Sequence, residues 1–160
     1  MADEPILSLE DFLPYRLNRI AEAVSRDFSK LYRDRYGLTR PEWRVLATLG
    51  EFPTMTATEI STHSSMHKTK VSRAVAELER RGWLTRKADG GDRRIEHLAL
   101  TKAGRKVYRE MVPIAKAFEK RLSSAMSAAR FAEFDYGLER LEEFVLKDLG
   151  KVDQQAQRLR

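Results

Sequence analysis

Apolar residues recur at intervals of three and four along the first part of the chain. Leu13, Leu17, Ile20, Val24, Phe28 and Leu31 form one stripe, which predicts a long helix over about residues 9–36. Pro14 falls near its start, where a missing N–H goes unused, and Gly37 is the expected left-handed stop. Thr39, with Pro41 two positions on, opens a second helix carrying Trp43, Val45, Leu46 and Leu49, which Gly50 and Pro53 should end. Thr56-Ala57-Thr58-Glu59 reads as a capping box, in which hydroxyl and carboxylate satisfy each other's exposed N–H groups. The helix it opens is short, with Ile60 facing inward, and Ser64-Ser65-Met66 is a turn. The next helix, about His67 to Arg81, buries Val71, Ala74, Val75 and Leu78 on one face. Lys68, Thr69, Ser72, Arg73 and Ala76 fall on or beside the other, and Gly82 ends the helix.

Periodicity then changes. Trp83–Lys87 and Ile95–Leu100 read as two strands joined by the flexible loop Asp89-Gly90-Gly91-Asp92. Thr101 caps a long helix with Val107, Met111, Ile114, Phe118 and Leu122, bent at Pro113. Ser127 caps a last helix whose stripe is Phe131, Phe134, Leu138, Leu141, Val145 and Leu149. The expected fold class is mainly α: a winged helix-turn-helix with a two-stranded β-wing and long N- and C-terminal helices. Residues 1–160 read as a single chain with a winged helix-turn-helix lobe over 40–100 and long flanking helices over 9–36 and 101–150. The terminal stripes exceed what so small a lobe can cover, and a helix of ~28 residues extends ~42 Å. Interleaving with a second copy in a homodimer would bury them; a bundle folded back on its own chain is the alternative.

Composition narrows the function. At 160 residues and 42% hydrophobic the chain can build one well-cored domain. It has no cysteine, which removes disulfides, thiolate zinc sites and cysteine-based peroxide sensing. The acidic start Met1-Ala2-Asp3-Glu4-Pro5 does not read as a secretory signal, no apolar run approaches a membrane span, and a cytoplasmic location without membrane association is expected. The polar tail from Gln154 to Arg160 is expected to fray. Thirty Lys and Arg face 24 Asp and Glu, a net charge of +6. Between His67 and Arg94 nine bases stand against four acids, so this one unit carries +5 of that surplus. Such concentration favours a polyanion partner over a merely solvated surface. Double-stranded DNA fits: a helix can enter the major groove while a hairpin tipped by Asp92-Arg93-Arg94 reaches the minor groove.

The ordered elements and several motifs resemble MarR-type transcriptional regulators. The matching residues are Leu38-Thr39-Arg40-Pro41-Glu42-Trp43-Arg44-Val45-Leu46, Lys68-Thr69-Lys70-Val71-Ser72-Arg73 and Leu78-Glu79-Arg80-Arg81-Gly82. Further on come Asp92-Arg93-Arg94 and Leu98-Ala99-Leu100-Thr101-Lys102-Ala103-Gly104. The likeness covers roughly residues 10–150. It implies a homodimeric repressor on a pseudo-palindromic operator, released by a small ligand. It implies that Lys68, Thr69, Lys70, Ser72 and Arg73 face the major groove or its flanking phosphates. Arg94 would enter the minor groove with Asp92 bracing it, and Arg93 lies beside it at the tip. The chemistry agrees, since arginine pairs with guanine edges, hydroxyls reach phosphates, and a narrow minor groove attracts guanidinium. Asp92 and Arg94 could instead serve only to stabilise the turn, and Arg80 and Arg81 fit a helix C-terminus better than a base-reading role. Gly90-Gly91 departs from the many relatives with a proline before Asp-x-Arg, which implies a wing tip freer in its backbone.

Phe12-Leu13-Pro14-Tyr15-Arg16-Leu17-Asn18-Arg19 resembles the start of regulators of aromatic-acid catabolism within that family. The resemblance implies an effector between the dimer helices and the DNA-binding lobe. An aromatic carboxylate or its acyl-CoA thioester would want an apolar slot and a cation, which Tyr15, Trp43, Phe118 and Arg16 could supply, with His67 nearby. The alternative makes Trp43 and Phe118 core residues and Arg16 a solvated or inter-subunit ion-pair partner. Metal sensing would need His63 and His67 on one helix face, but the turn falls between them, so no metal and no cofactor is expected. Ser64, Ser65 and His67 lack an orienting acid, which argues against an enzyme. An architectural DNA-binding protein without effector remains open; it would bind operator and random duplex alike.

Overall fold

The computed structural model describes residues 6–92 and 94–149. Met1–Pro5, Arg93 and the tail from Gln154 to Arg160 lie outside the described residues. The order is α1 (Leu13–Tyr36), α2 (Arg40–Glu51), α3 (Ala57–Ser64), α4 (Lys68–Arg80), β1 (Leu84–Ala88), β2 (Glu96–Leu100), α5 (Lys102–Ser123) and α6 (Ala128–Phe144), with a π-helical turn at Val145–Leu149. Two compact units divide the chain, one running through Ala115 and the other from Lys116.

In the first unit α2, α3 and α4 enclose one core. Val45, Leu46, Leu49, Ile60, Val71, Val75, Leu78 and Leu98 are fully buried there, with Tyr32 of α1 and Met111 of α5. Local chemistry explains the helix boundaries. Glu42 accepts from the Thr39 N–H at 3.0 Å at the start of α2. At α3 the expected reciprocal box is present: Glu59 N–H donates to Thr56 Oγ1 at 3.2 Å, and Thr56 N–H to Glu59 Oε2 at 2.7 Å. Gly37, at φ +62°, closes α1 in the left-handed region.

Several boundaries differ from the pattern read in the sequence. The first helix begins at Leu13 rather than Leu9, because a turn closed by Ser8 and Asp11 occupies residues 8–11 and Pro14 sits in the opening turn of α1. Gly50 does not stop α2, which runs to Glu51. Pro53 imposes an extended backbone on Phe52 and ends it there. Gly50 is instead a point of close packing: a Cβ there would come within 2.3 Å of the Tyr108 ring. Trp83 and Ile95 lie just outside the strands, although Thr101 N–H donates to the Trp83 carbonyl at 3.0 Å and Asp89 N–H to the Ile95 carbonyl at 2.8 Å in the same register; the Ile95 N–H instead closes the loop onto the Asp92 carbonyl at 2.9 Å.

The strands pair antiparallel, Leu84 opposite Leu100 and Ala88 opposite Glu96. On its other edge β2 bonds Met55, just ahead of α3, through Leu98 in both directions at 2.8 and 3.1 Å. The root of the hairpin is thereby tied to the helix-turn-helix. Thr101 fixes the next corner, donating to the Gly82 carbonyl at 2.7 Å and accepting from Gly104 N–H at 3.1 Å.

Much of the apolar stripe of α1 does not face this core, although Phe28 packs against it. Leu13, Leu17, Ile20 and Leu31 are exposed, and the residues that α1 buries are Ser29 and Tyr32. In the second unit Ser127 caps α6, accepting from Arg130 N–H at 3.4 Å. No residue of α6 is buried, and Phe134, Tyr136, Phe144 and Leu146 are 49–75% exposed.

Candidate nucleic-acid interface

The turn between α3 and α4 rests on Ser65, which adopts φ +52°, the left-handed region that ends helices. Ser61 Oγ donates to the Met66 carbonyl at 2.6 Å and Met66 is buried, so the turn is pinned from inside. Arg44 of α2 donates to the Ser64 carbonyl at 3.2 Å, satisfying an orphan acceptor at the end of α3. His67 is the N-cap of α4, its Nδ1 accepting from Thr69 N–H at 3.3 Å. These contacts fix the direction in which α4 leaves the turn.

With Val71, Ala74, Val75 and Leu78 turned inward, Lys68, Thr69, Lys70, Ser72 and Arg73 are all exposed along α4. The structure brings these five sequence-derived positions onto one accessible surface. It also sorts the basic surplus. Arg80 and Arg81 both bond Glu77, at 2.6 and 2.8 Å, and hold its carboxyl down to about 2. Arg86 bridges Glu79 of α4 and Glu96 of β2, at 2.8 and 3.0 Å. Among the described residues, Lys68, Lys70, Arg73 and Lys87 make no ion pair. Of the described Lys and Arg residues between His67 and Arg94, three of the four without an ion pair therefore lie on the first half of α4.

At the hairpin tip Arg94 donates to Asp92 through Nε and Nη2, each at 3.1 Å, and its own N–H reaches Asp92 Oδ1 at 3.0 Å. Those bonds lower the Asp92 carboxyl below its ordinary range, the Arg94 side chain being the largest cause. The Arg94 side chain remains 90% exposed, presenting its remaining guanidinium edge outward. The loop behind it is organised by Asp89. Oδ1 accepts from the Gly91 and Asp92 N–H groups at 2.8 and 3.1 Å, and Oδ2 lies 2.9 Å from His97 Nε2. Together with the N–H groups, His97 holds the Asp89 carboxyl down to about 2. Sequence patterning did not single out this pair. The signal was an Asp ahead of two glycines, the signature of a side chain bonding the backbone two residues on.

The residues proposed for an effector are spread over the chain. Arg19 lies over the Tyr15 ring at 5.8 Å, and Arg16 shares with Arg19, Glu22 and Arg26 an open groove of about 590 Å³ on α1. Trp43 stacks on Tyr32 at 5.6 Å and meets Phe28 edge-on at 5.5 Å. Phe28 is about 20 Å along α1 from Tyr15 at helical rise, so one chain does not bring Tyr15 and Trp43 together. Phe118 belongs to the second unit, beneath Arg121 at 5.2 Å. His63 packs on Phe52, ring centroids 5.0 Å apart, on the far side of the turn from His67. Among the described residues no cluster of His, Asp and Glu is set to hold a metal, and no helix is long and apolar enough to cross a membrane.

A helix-turn-helix with an exposed cationic second helix, joined to a hairpin carrying an exposed arginine, defines a winged helix-turn-helix protein. Residues 36–95 match the MarR family. The transcriptional repressor MprA of Escherichia coli (strain K12) is 30% identical over 156 residues, covering 92% of this chain and 84% of that protein. The chain belongs to the MarR family of transcriptional regulators, whose members are not enzymes. It is also similar to the homoprotocatechuate degradative operon repressor of Escherichia coli, 25% identical with 86% and 90% covered. Among solved structures it resembles Streptococcus pneumoniae FabT in complex with DNA, 27% identical with a TM-score of 0.72, covering 86% of this chain and 96% of that one.

Proposed function

We propose that this protein is a homodimeric repressor, acting in the cytoplasm, that binds a pseudo-palindromic duplex operator through α4 and the wing. The observation that carries the reading is the segregation of charge. Arg80 and Arg81 at the end of α4 and Arg86 on β1 are paired with internal acids, whereas Lys68, Lys70 and Arg73 on α4 stay without an ion pair beside Thr69 and Ser72, as does Lys87 on β1. Unpaired cations release counterions from DNA, and the hydroxyls among them can bond phosphates or base edges. Arg94, braced by Asp92, is shaped for the minor groove. The exposed stripes of α1 and α6 support pairing with a second copy, which would set two recognition helices about one DNA turn apart, ~34 Å.

Release is assigned to a small aromatic acid or its coenzyme A thioester. Two things support that class: the likeness to a repressor of homoprotocatechuate degradation, and the arginines lining the α1 groove, which suit a carboxylate. A ligand seated beside the dimer helices acts by favouring a spacing that no longer matches successive major grooves. Selection of duplexes from a random pool tests the reading. A regulator enriches a two-fold-related sequence and binds it ~10³ or more tighter than random duplex at equal salt; an architectural protein shows no such gap. Benzoates, hydroxycinnamates and their thioesters added to the selected complex should release it, and release by none of them would refute the effector class.

A further inference from the structure

The wing tip carries two adjacent glycines, each open to conformations other residues avoid, and a free loop of that kind loses affinity by being ordered on binding. Here Asp89 ties the described part of the loop together. Asp89 accepts two backbone N–H groups through Oδ1 and meets His97 Nε2 through Oδ2. One of those N–H groups belongs to Asp92, the residue whose carboxylate grips the Arg94 guanidinium. A continuous chain of bonds thus runs from β2, through His97 and Asp89, to Arg94. His97 is itself held in register on β2, between Glu96 and Leu98, and Leu98 is buried and bonded to Met55.

We propose that Asp89 and His97 form a latch that sets the position of Arg94, making both positioning residues for the minor-groove contact. The inference rests on the reading of the wing as a DNA-contacting element. The charged groups around His97 are Asp89 in the loop, Lys87 directly opposite on β1, Glu96 beside it, and Glu59 of α3, whose carboxyl feels the imidazole. Neutral His97 can donate from Nε2 to Asp89.

The test uses the full chain and a duplex selected for binding to it. His97→Leu, which removes the donor, should weaken binding about 5- to 20-fold, an ordering penalty of the size a few loop torsions impose. Gln places a donor where Nε2 was, so His97→Gln should stay within about threefold of wild type. In an Arg94→Ala background His97→Leu should have no further effect, because the latch acts through Arg94. An equal loss in both backgrounds overturns the inference, as does an unchanged affinity of H97L when R94A itself binds weakly. If R94A binds as well as wild type, the wing reading fails and the latch with it. Should H97L not fold, Asp89→Ala compared in the wild-type and Arg94→Ala backgrounds decides: a loss confined to the wild-type background is expected, and an equal loss in both overturns the proposal.

Discussion

Arg81 Nη1 donates to the carbonyl of Tyr36 at 2.7 Å, joining the end of the recognition helix to the end of α1. The same guanidinium reaches the Gly37 carbonyl at 3.0 Å, bonds Glu77 at 2.8 Å, and lies 5.2 Å over the Trp83 ring. It is therefore a tie between elements. Arg81→Ala should destabilise the protein by about 2–3 kcal/mol in urea unfolding, since two carbonyls and a carboxylate lose a charged donor. Arg81→Lys should recover only part of that, because an ammonium cannot reproduce the fork.

The charge sorting separates bases that should matter for DNA from those that should not. Arg73→Ala is expected to weaken binding to all sequences and to lower the salt slope by about one. Arg94→Ala should lose affinity mainly where the flanks are A·T-rich, by about 1–3 kcal/mol. Arg80→Ala should leave the slope unchanged, since Arg80 and Arg81 are together matched by Glu77 and by Glu42, which lies 3.7 Å from Arg81. Anisotropy titrations at several salt concentrations read all three.

Two buried approaches rank in stability. A Cβ on Gly104 would lie 2.0 Å from the Trp83 carbonyl oxygen, a backbone atom held by Thr101 N–H. A Cβ on Gly50 would instead strike the Tyr108 ring, a side chain that can turn. Gly104→Ala should therefore cost about 3 kcal/mol or more, and Gly50→Ala about 1–3 kcal/mol, by chemical denaturation. The reverse order would show that the Thr101 corner is softer than its bonds suggest.

Acid should loosen the C-terminal turn of α4. Unfolded Glu77 takes up its proton near the ordinary carboxylate range, ~4.3, whereas the folded group does so at about 2. The unfolded chain binds more protons in between, so this contribution is complete above pH ~5 and fades as pH falls toward 2. The melting-temperature gap between wild type and Glu77→Gln should thus narrow steadily from pH 5 to pH 2. A constant gap would mean that the Arg80 and Arg81 pairs do not stabilise the fold.

Much of the lobe was legible because short-range rules decide it. The Thr56 box, the inward face Val71–Leu78, the Gly37 stop and the Thr101 cap on Gly104 each depend on residues a few positions apart. Gly50 was misread because its reason lies in Tyr108, far along the chain, and no local pattern records a ring packed against a helix. The extra residues assigned to the first helix failed for a smaller reason: the Ser8–Asp11 turn competes with it ahead of Pro14. At the site, the exposed positions on α4 followed from periodicity. Which bases are neutralised did not, since Arg86 draws its partners from α4 and β2. Asp89 and His97 meet only once the hairpin register is set.

Hydroxyl-radical footprinting on a selected duplex tests the central claim most directly. Binding by paired copies of α4 and the wing predicts two protected segments centred about one helical turn apart, each flanked by a minor-groove protection that disappears with Arg94→Ala. A single protected segment, or flanking protections that persist in that variant, would contradict it.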